Sequence, residues 1–115
     1  MSKYKECIIK AGEGKVNKFD WGIWLISTAN AINPDELSVG QTYILPGCQH
    51  STHKHDDQDE ILFILSGSAK ATVGNITDMV GEGDMVFVPK GTDHALANTG
   101  WGTLTISPIK FQLSE

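Results

Sequence analysis

The chain has 115 residues, 40% of them hydrophobic, and a formal net charge of −5 at pH 7. That length fits one domain able to bury roughly two-thirds of its unfolded surface, so residues 1–115 are read as a single unit. An acidic balance with singly spread lysines leaves no nucleic-acid footprint. No apolar run approaches the roughly twenty residues a membrane helix needs, and no apolar core follows residues 1–6 as a secretion signal would require. The expectation is a cytoplasmic protein without nucleic-acid or membrane partners. Cys7 and Cys48 are then free thiols.

In chain order, residues 4–11 read as a first strand, broken at Gly12. Residues 19–27 are aromatic and β-branched and read as a strand carrying Trp21 and Trp24. These indoles serve either packing or the lining of a pocket mouth. Residues 28–36, punctuated by Asn33-Pro34, read as a connecting loop. The next strand, 37–45, places Thr42 and Ile44 on one face and Gln41, Tyr43 and Leu45 on the other. Strand 61–65 is apolar at every position, so both its faces are expected to be buried. Leu62 and Ile64 share parity with Glu60 and point inward. Ile61, Phe63 and Leu65 need a cover, either an N-terminal strand or a second protomer. Strands 69–73 and 76–79 flank Gly74-Asn75, a two-residue hairpin turn. With strands 85–88 and 103–108 the total is roughly eight to ten and no helix, which selects an antiparallel sandwich or barrel.

Chemistry concentrates in two stretches. In residues 47–67, His53 and His55 stand two apart, so on a strand both imidazoles leave one face. Asp56, Asp57 and Asp59 read as a solvated turn, one of them able to hold an imidazole tautomer from behind. Glu60 then opens the next strand beside the histidines. In residues 83–98, a turn and an apolar run precede His94. Three imidazoles and a carboxylate suit a first-row divalent ion and leave two octahedral positions open. His50 and Cys48 have the opposite strand parity from His53 and are expected to point away. Gln49 and Ser51 share the ligand parity and are candidates for substrate contact. Leu96 and Asn98 share parity with His94, with Asn98 given to turn or ligand-supporting hydrogen bonds. Gly47, Gly67, Gly83 and Gly91 meet backbone needs of tight turns.

These stretches resemble the cupin superfamily. Its first motif, G-x5-H-x-H-x(3,4)-E-x6-G, is matched by Gly47, His53, His55, Glu60 and Gly67. Its second, G-x5-P-x-G-x2-H-x3-N, is matched by Gly83, Pro89, Gly91, His94 and Asn98. The resemblance implies an all-β jelly-roll barrel (double-stranded β-helix) of antiparallel strands. It also implies one divalent transition metal ion (Fe, Mn, Ni, Zn, Co or Cu) held by His53, His55, Glu60 and His94. A small-molecule substrate or ligand would bind at the open metal positions, and a homodimer is the expected assembly.

All nine basic residues are lysine. Arginine clamps carboxylates with two donors and lysine acts only as a point charge, so reactions that clamp a dicarboxylate fit this chain poorly. No Lys, Tyr or Glu beyond the ligand set is assigned as a general base. Chemistry is therefore expected to rest on the ion: dioxygenase, isomerase, lyase or cyclase chemistry on a small hydroxy-carbonyl or enediol-type molecule. The second reading is a non-catalytic module that binds or senses a small ligand.

Overall fold

The structure, a computed structural model, describes residues 7–53 and 57–113, and of residues 51–53 the backbone only. The described residues form ten strands: β1 (Lys15–Phe19), β2 (Gly22–Ile26), β3 (Leu37–Ile44), β4 (Gln49–His53), β5 (Asp59–Ser66), β6 (Ser68–Val73), β7 (Ile76–Gly81), β8 (Met85–Val88), β9 (His94–Asn98) and β10 (Leu104–Phe111). Every pairing is antiparallel. Six strands make one sheet, in the order β1-β2-β3-β10-β5-β8, and β4-β9-β6-β7 make the other. The expected jelly-roll barrel is what the chain forms. No helix among the described residues is long and apolar enough to cross a membrane.

Alternation explains which side chains meet inside. On β5, Glu60, Leu62 and Ile64 are buried; on β9, His94, Leu96 and Asn98; on β10, Leu104, Ile106 and Pro108. Leu62, Ile64, Leu96, Leu104 and Ile106 join Ile44, Ala69, Ala71, Val86 and Val88 in one buried cluster. Strand register fixes the depth of each residue along the barrel. Ile106 pairs with Ile64, Pro108 with Leu62, and Lys110 with Glu60. The interior therefore runs from an apolar end at Ile64 and Ile106 to a polar end at Glu60 and Lys110.

The expected two-residue turn at Gly74-Asn75 joins Val73 to its partner Ile76, with Gly74 at φ 59°. Three other expectations are corrected. Residues 7–11 of the expected first strand are not in a strand, and 4–6 lie outside the described residues. The single strand expected over 19–27 is instead a hairpin, β1 and β2 joined at Asp20-Trp21, with Phe19 paired to Gly22. β1 escapes notice because it is a sheet edge with Val16 and Phe19 half-exposed, so its sequence need not be apolar. Gly22 is fixed by close approach: a Cβ there would lie 1.8 Å from the Tyr43 carbonyl oxygen, at φ +151°. The outer residues of strand 61–65 are part-exposed in the single chain, Phe63 at 38% and Leu65 at 40%.

The last strand, expected to stop at Pro108, continues to Phe111. Proline cannot donate to a ladder and normally marks an edge or an end, yet β10 lies between β3 and β5. The loss falls on the β3 side, where register skips from Ile106 to Ile109. There the Ser107 hydroxyl donates to the Gly40 carbonyl at 2.9 Å. The three residues after the proline bring a lysine into the barrel.

Candidate metal and ligand site at the open end of the barrel

Glu60 and His94 arrive from different sheets, Glu60 at the start of β5 and His94 at the start of β9. They are 3% and 2% exposed, and His94 Nε2 lies 3.2 Å from Glu60 Oε1. A carboxylate taken this far from water is costly unless it meets a counter-charge or donors. Pairing it with an imidazole at the mouth of a cavity is the start of a cation site. The described residues contain no group of three or more His, Cys, Asp or Glu that could hold a metal ion. His55 and the side chain of His53 lie outside the described residues. The backbone of His53 is placed, as the strand partner of His94. The chemistry of the donor set thus fits a divalent ion at the two positions the structure describes.

A cavity of about 440 Å³ opens beside Glu60, with Phe19, Trp21, Trp24, His50, Leu96 and Lys110 among its other lining residues. Three of its lining residues, Phe19, Trp21 and Trp24, come from the β1–β2 hairpin. Phe19 and Trp21 stack at 4.9 Å between centroids, with planes 7° apart. Trp21 in turn lies 4.9 Å from the His50 ring, tying the edge of the large sheet to β4 of the small one. His50 stands 6.5 Å from the His94 ring. A ladder of rings therefore leads from half-exposed Phe19 to buried His94. Both Trp21 and Trp24 line the cavity, and Trp21 also packs against the core cluster, so it has both expected roles.

His50 does not point away as its parity suggested. It pairs with Leu96, while His53 pairs with His94, so three residues on β4 span two on β9. This β-bulge absorbs one residue and reverses the parity count. The same shift corrects its neighbours. Cys48 packs against the core cluster instead of facing out, and Gln49 is exposed and does not line the cavity. Ser51 has no described side chain. Both thiols are free, as expected.

Asp59 also departs from expectation: it is buried and does not solvate a turn. Its carboxylate accepts from the Lys90 amide at 3.0 Å and from the Leu113 amide at 3.4 Å, pinning the β8–β9 turn and the chain's last described residue beside the site. Asp57 is exposed, and Asp56 lies outside the described residues. Asn98 has the expected turn role. Its amide donates to the Ile44 and Gly102 carbonyls, both at 2.9 Å, and its Oδ1 accepts from the Gly100 amide at 2.9 Å.

Lys110 is the lining residue that sequence reasoning missed. It pairs across the ladder with Glu60, and its Nζ lies 4.6 Å from the centroid of the Trp24 ring. Burial pushes its ammonium below the ordinary lysine range, against the opposing pull of Glu60 and Asp57. The available signal was parity, because Lys110 stands two and four residues beyond Pro108 and Ile106. Ending the strand at the proline discarded it.

Known proteins agree with this architecture. Mannose-1-phosphate guanylyltransferase RfbM of Salmonella typhimurium is 36% identical over 97 residues, covering 84% of this chain. The chain spans only 18% of that relative's length. A predicted oxalate decarboxylase from Thermotoga maritima superposes with a TM-score of 0.76 at 20% identity, covering 93% of this chain and 100% of the other. An RmlC-like cupin from Shewanella frigidimarina superposes with a TM-score of 0.77 at 16% identity, covering 99% of this chain and 97% of the other. At such identities the two structures show a shared fold and nothing finer. The cupin-domain family (Cupin_2) matches residues 40–107, the stretch that holds both motifs, and the chain belongs to that family.

Proposed function

We propose that this cupin binds one divalent transition metal ion through His53, His55, Glu60 and His94 and acts as a metal-dependent enzyme on a small hydroxy-carbonyl or enediol-type molecule. The observation that carries the reading is the buried Glu60–His94 pair, 3.2 Å apart, beside a cavity of about 440 Å³. When bound, the ion supplies Lewis-acid polarisation of substrate oxygens or redox chemistry. The chain's own residues do the rest. Trp21 and Trp24 keep water from the ligand's flank, and the strand ladders hold Glu60 and His94 in place before anything binds. Lys110 sets a positive charge opposite Glu60. The printed names of relatives, a guanylyltransferase for mannose 1-phosphate and a predicted oxalate decarboxylase, put sugars and small carboxylates into the substrate screen beside diketones and enediols.

The test is elemental analysis of untagged protein purified without chelator, followed by His55→Ala. We expect about one equivalent of metal per chain and its near-complete loss in the variant. Retention of metal by His55→Ala would place the site elsewhere. A wild-type protein that takes up no divalent ion would leave the second reading, a non-catalytic ligand-binding or sensing barrel.

Two further parts belong to this reading. The free thiols support a reducing, cytoplasmic setting. The outer face of the large sheet supports a homodimer. Register aligns Val39, Ile109, Ile61 and Phe87 in one row across four strands, with Phe63 and Met85 in the next. Phe63, Met85 and Phe87 are 38%, 54% and 40% exposed, an apolar patch of the kind that marks interaction surfaces.

A further inference from the structure

The cavity wall carries more chemical information than the ligand pair beside it. Four of the lining residues carry aromatic rings, Phe19, Trp21 and Trp24 from one hairpin and His50 from β4. The volume of about 440 Å³ lies within the range of small-ligand sites. Into this largely apolar space, aromatic on the hairpin side and aliphatic at Leu62, Leu96, Ile106 and Pro108, β10 sends a single ammonium, Lys110, the one Lys or Arg among the described lining residues. Its Nζ lies against the Trp24 ring and its backbone opposite Glu60.

From this arrangement we infer the ligand class: a small ring compound bearing one carboxylate, its ring packed on the Trp21–Trp24 wall and its carboxylate on Lys110. The ring follows from the wall. Indoles offer flat, polarisable faces that favour stacking over loose aliphatic contact. The carboxylate follows from the lysine, because an ammonium drawn out of bulk water gains from an anionic partner. In the metal-free barrel only one anionic group is accommodated, since a second would meet the Glu60 charge across the ladder from Lys110. Lys110 is in this sense a specificity residue. The inference rests on the reading of the open end as a ligand site, and it names what that site selects.

Tryptophan fluorescence tests it on metal-stripped full-length protein, freed of chelator by gel filtration. Trp101 is fully exposed on the β9–β10 turn, so Trp101→Phe leaves Trp21 and Trp24 as the reporters. The probes are benzoate, benzyl alcohol and acetate. Benzoate is expected to saturate, with benzyl alcohol about tenfold weaker or more and acetate without effect. Lys110→Met abolishes the preference for benzoate over benzyl alcohol and leaves the alcohol's affinity unchanged, whereas Lys110→Arg keeps the preference. Equal affinities for benzoate and benzyl alcohol overturn the inference, as does a preference that survives Lys110→Met. No saturation by benzoate below about 10 mM also overturns it. Because metal is absent from this titration, its failure leaves the metal reading standing. Failure of the metal analysis likewise leaves the titration intact.

Discussion

The two ends of the barrel interior are built by the same strands and differ in what those strands point inward. At the closed end, Ile44, Ile64 and Leu104 are 0% exposed, and Asn98 ties three backbone groups together beneath them. Two inward steps along β5 and β10, past Leu62 and Pro108, the inward residues become Glu60 and Lys110, and on β9 His94 precedes Leu96. Each closed-end side chain gains about 1.5–3 kcal/mol from burial. Each ionisable group at the open end works against folding unless it is paired. Antiparallel register lets one short domain keep both regimes apart by two to four residues per strand. Stability is concentrated where nothing binds, and the charged end can be tuned for a ligand at little structural risk.

Four experiments break or sharpen that contrast. Leu104→Ala should have the largest effect, about 2–5 kcal/mol in urea-melt stability from the cavity it leaves, with metal binding intact in the protein that remains folded. A loss under 1 kcal/mol would mean the closed end is not the stabilising one. Asn98→Ala comes next. It strands the Ile44 and Gly102 carbonyls and the Gly100 amide, for an expected cost of about 1–3 kcal/mol. A neutral result would show that water replaces the amide.

Outside both ends, Phe63→Asp should weaken self-association about tenfold or more without lowering monomer stability. Sedimentation velocity over a concentration series checks this, and an unchanged profile would remove the outer face as the interface. The smallest effect concerns Lys110. Its folded-state pKa is depressed, so between that value and the ordinary 10.5 the unfolded chain binds more protons. Stability should therefore rise with pH through that window, and the penalty is fully present below it. Thermal melts of wild type and Lys110→Met across the alkaline range should show the rise only in wild type. Parallel slopes would mean that other groups govern it.

How much was legible beforehand varies with how local each feature is. Gly74-Asn75 announced its hairpin because a two-residue turn is a local demand on φ. The inward set Glu60, Leu62 and Ile64 followed from parity within one unbroken strand. Parity failed wherever a strand was irregular. The bulge between His50 and His53 turned His50 and Cys48 inward and left Gln49 exposed. Pro108 hid the continuation of β10 and, with it, Lys110. β1 was missed because an edge strand needs only one partner and little apolar surface. Asp59 looked like a turn residue because its acceptors' partners, the amides of Lys90 and Leu113, lie 31 and 54 residues away.

The sequence by itself determined the family and the antiparallel barrel, because ten spaced positions in two motifs and a period of two are properties of short segments. It also named Glu60 and His94 as a pair that would meet. Only the tertiary structure decided what surrounds them: a hairpin that brings three aromatic residues over the cavity, a bulge that swings His50 to Trp21, and a lysine set opposite Glu60. Those contacts join β1, β2, β4, β5 and β10, and register across a sheet depends on bulges and pairings that no single segment encodes.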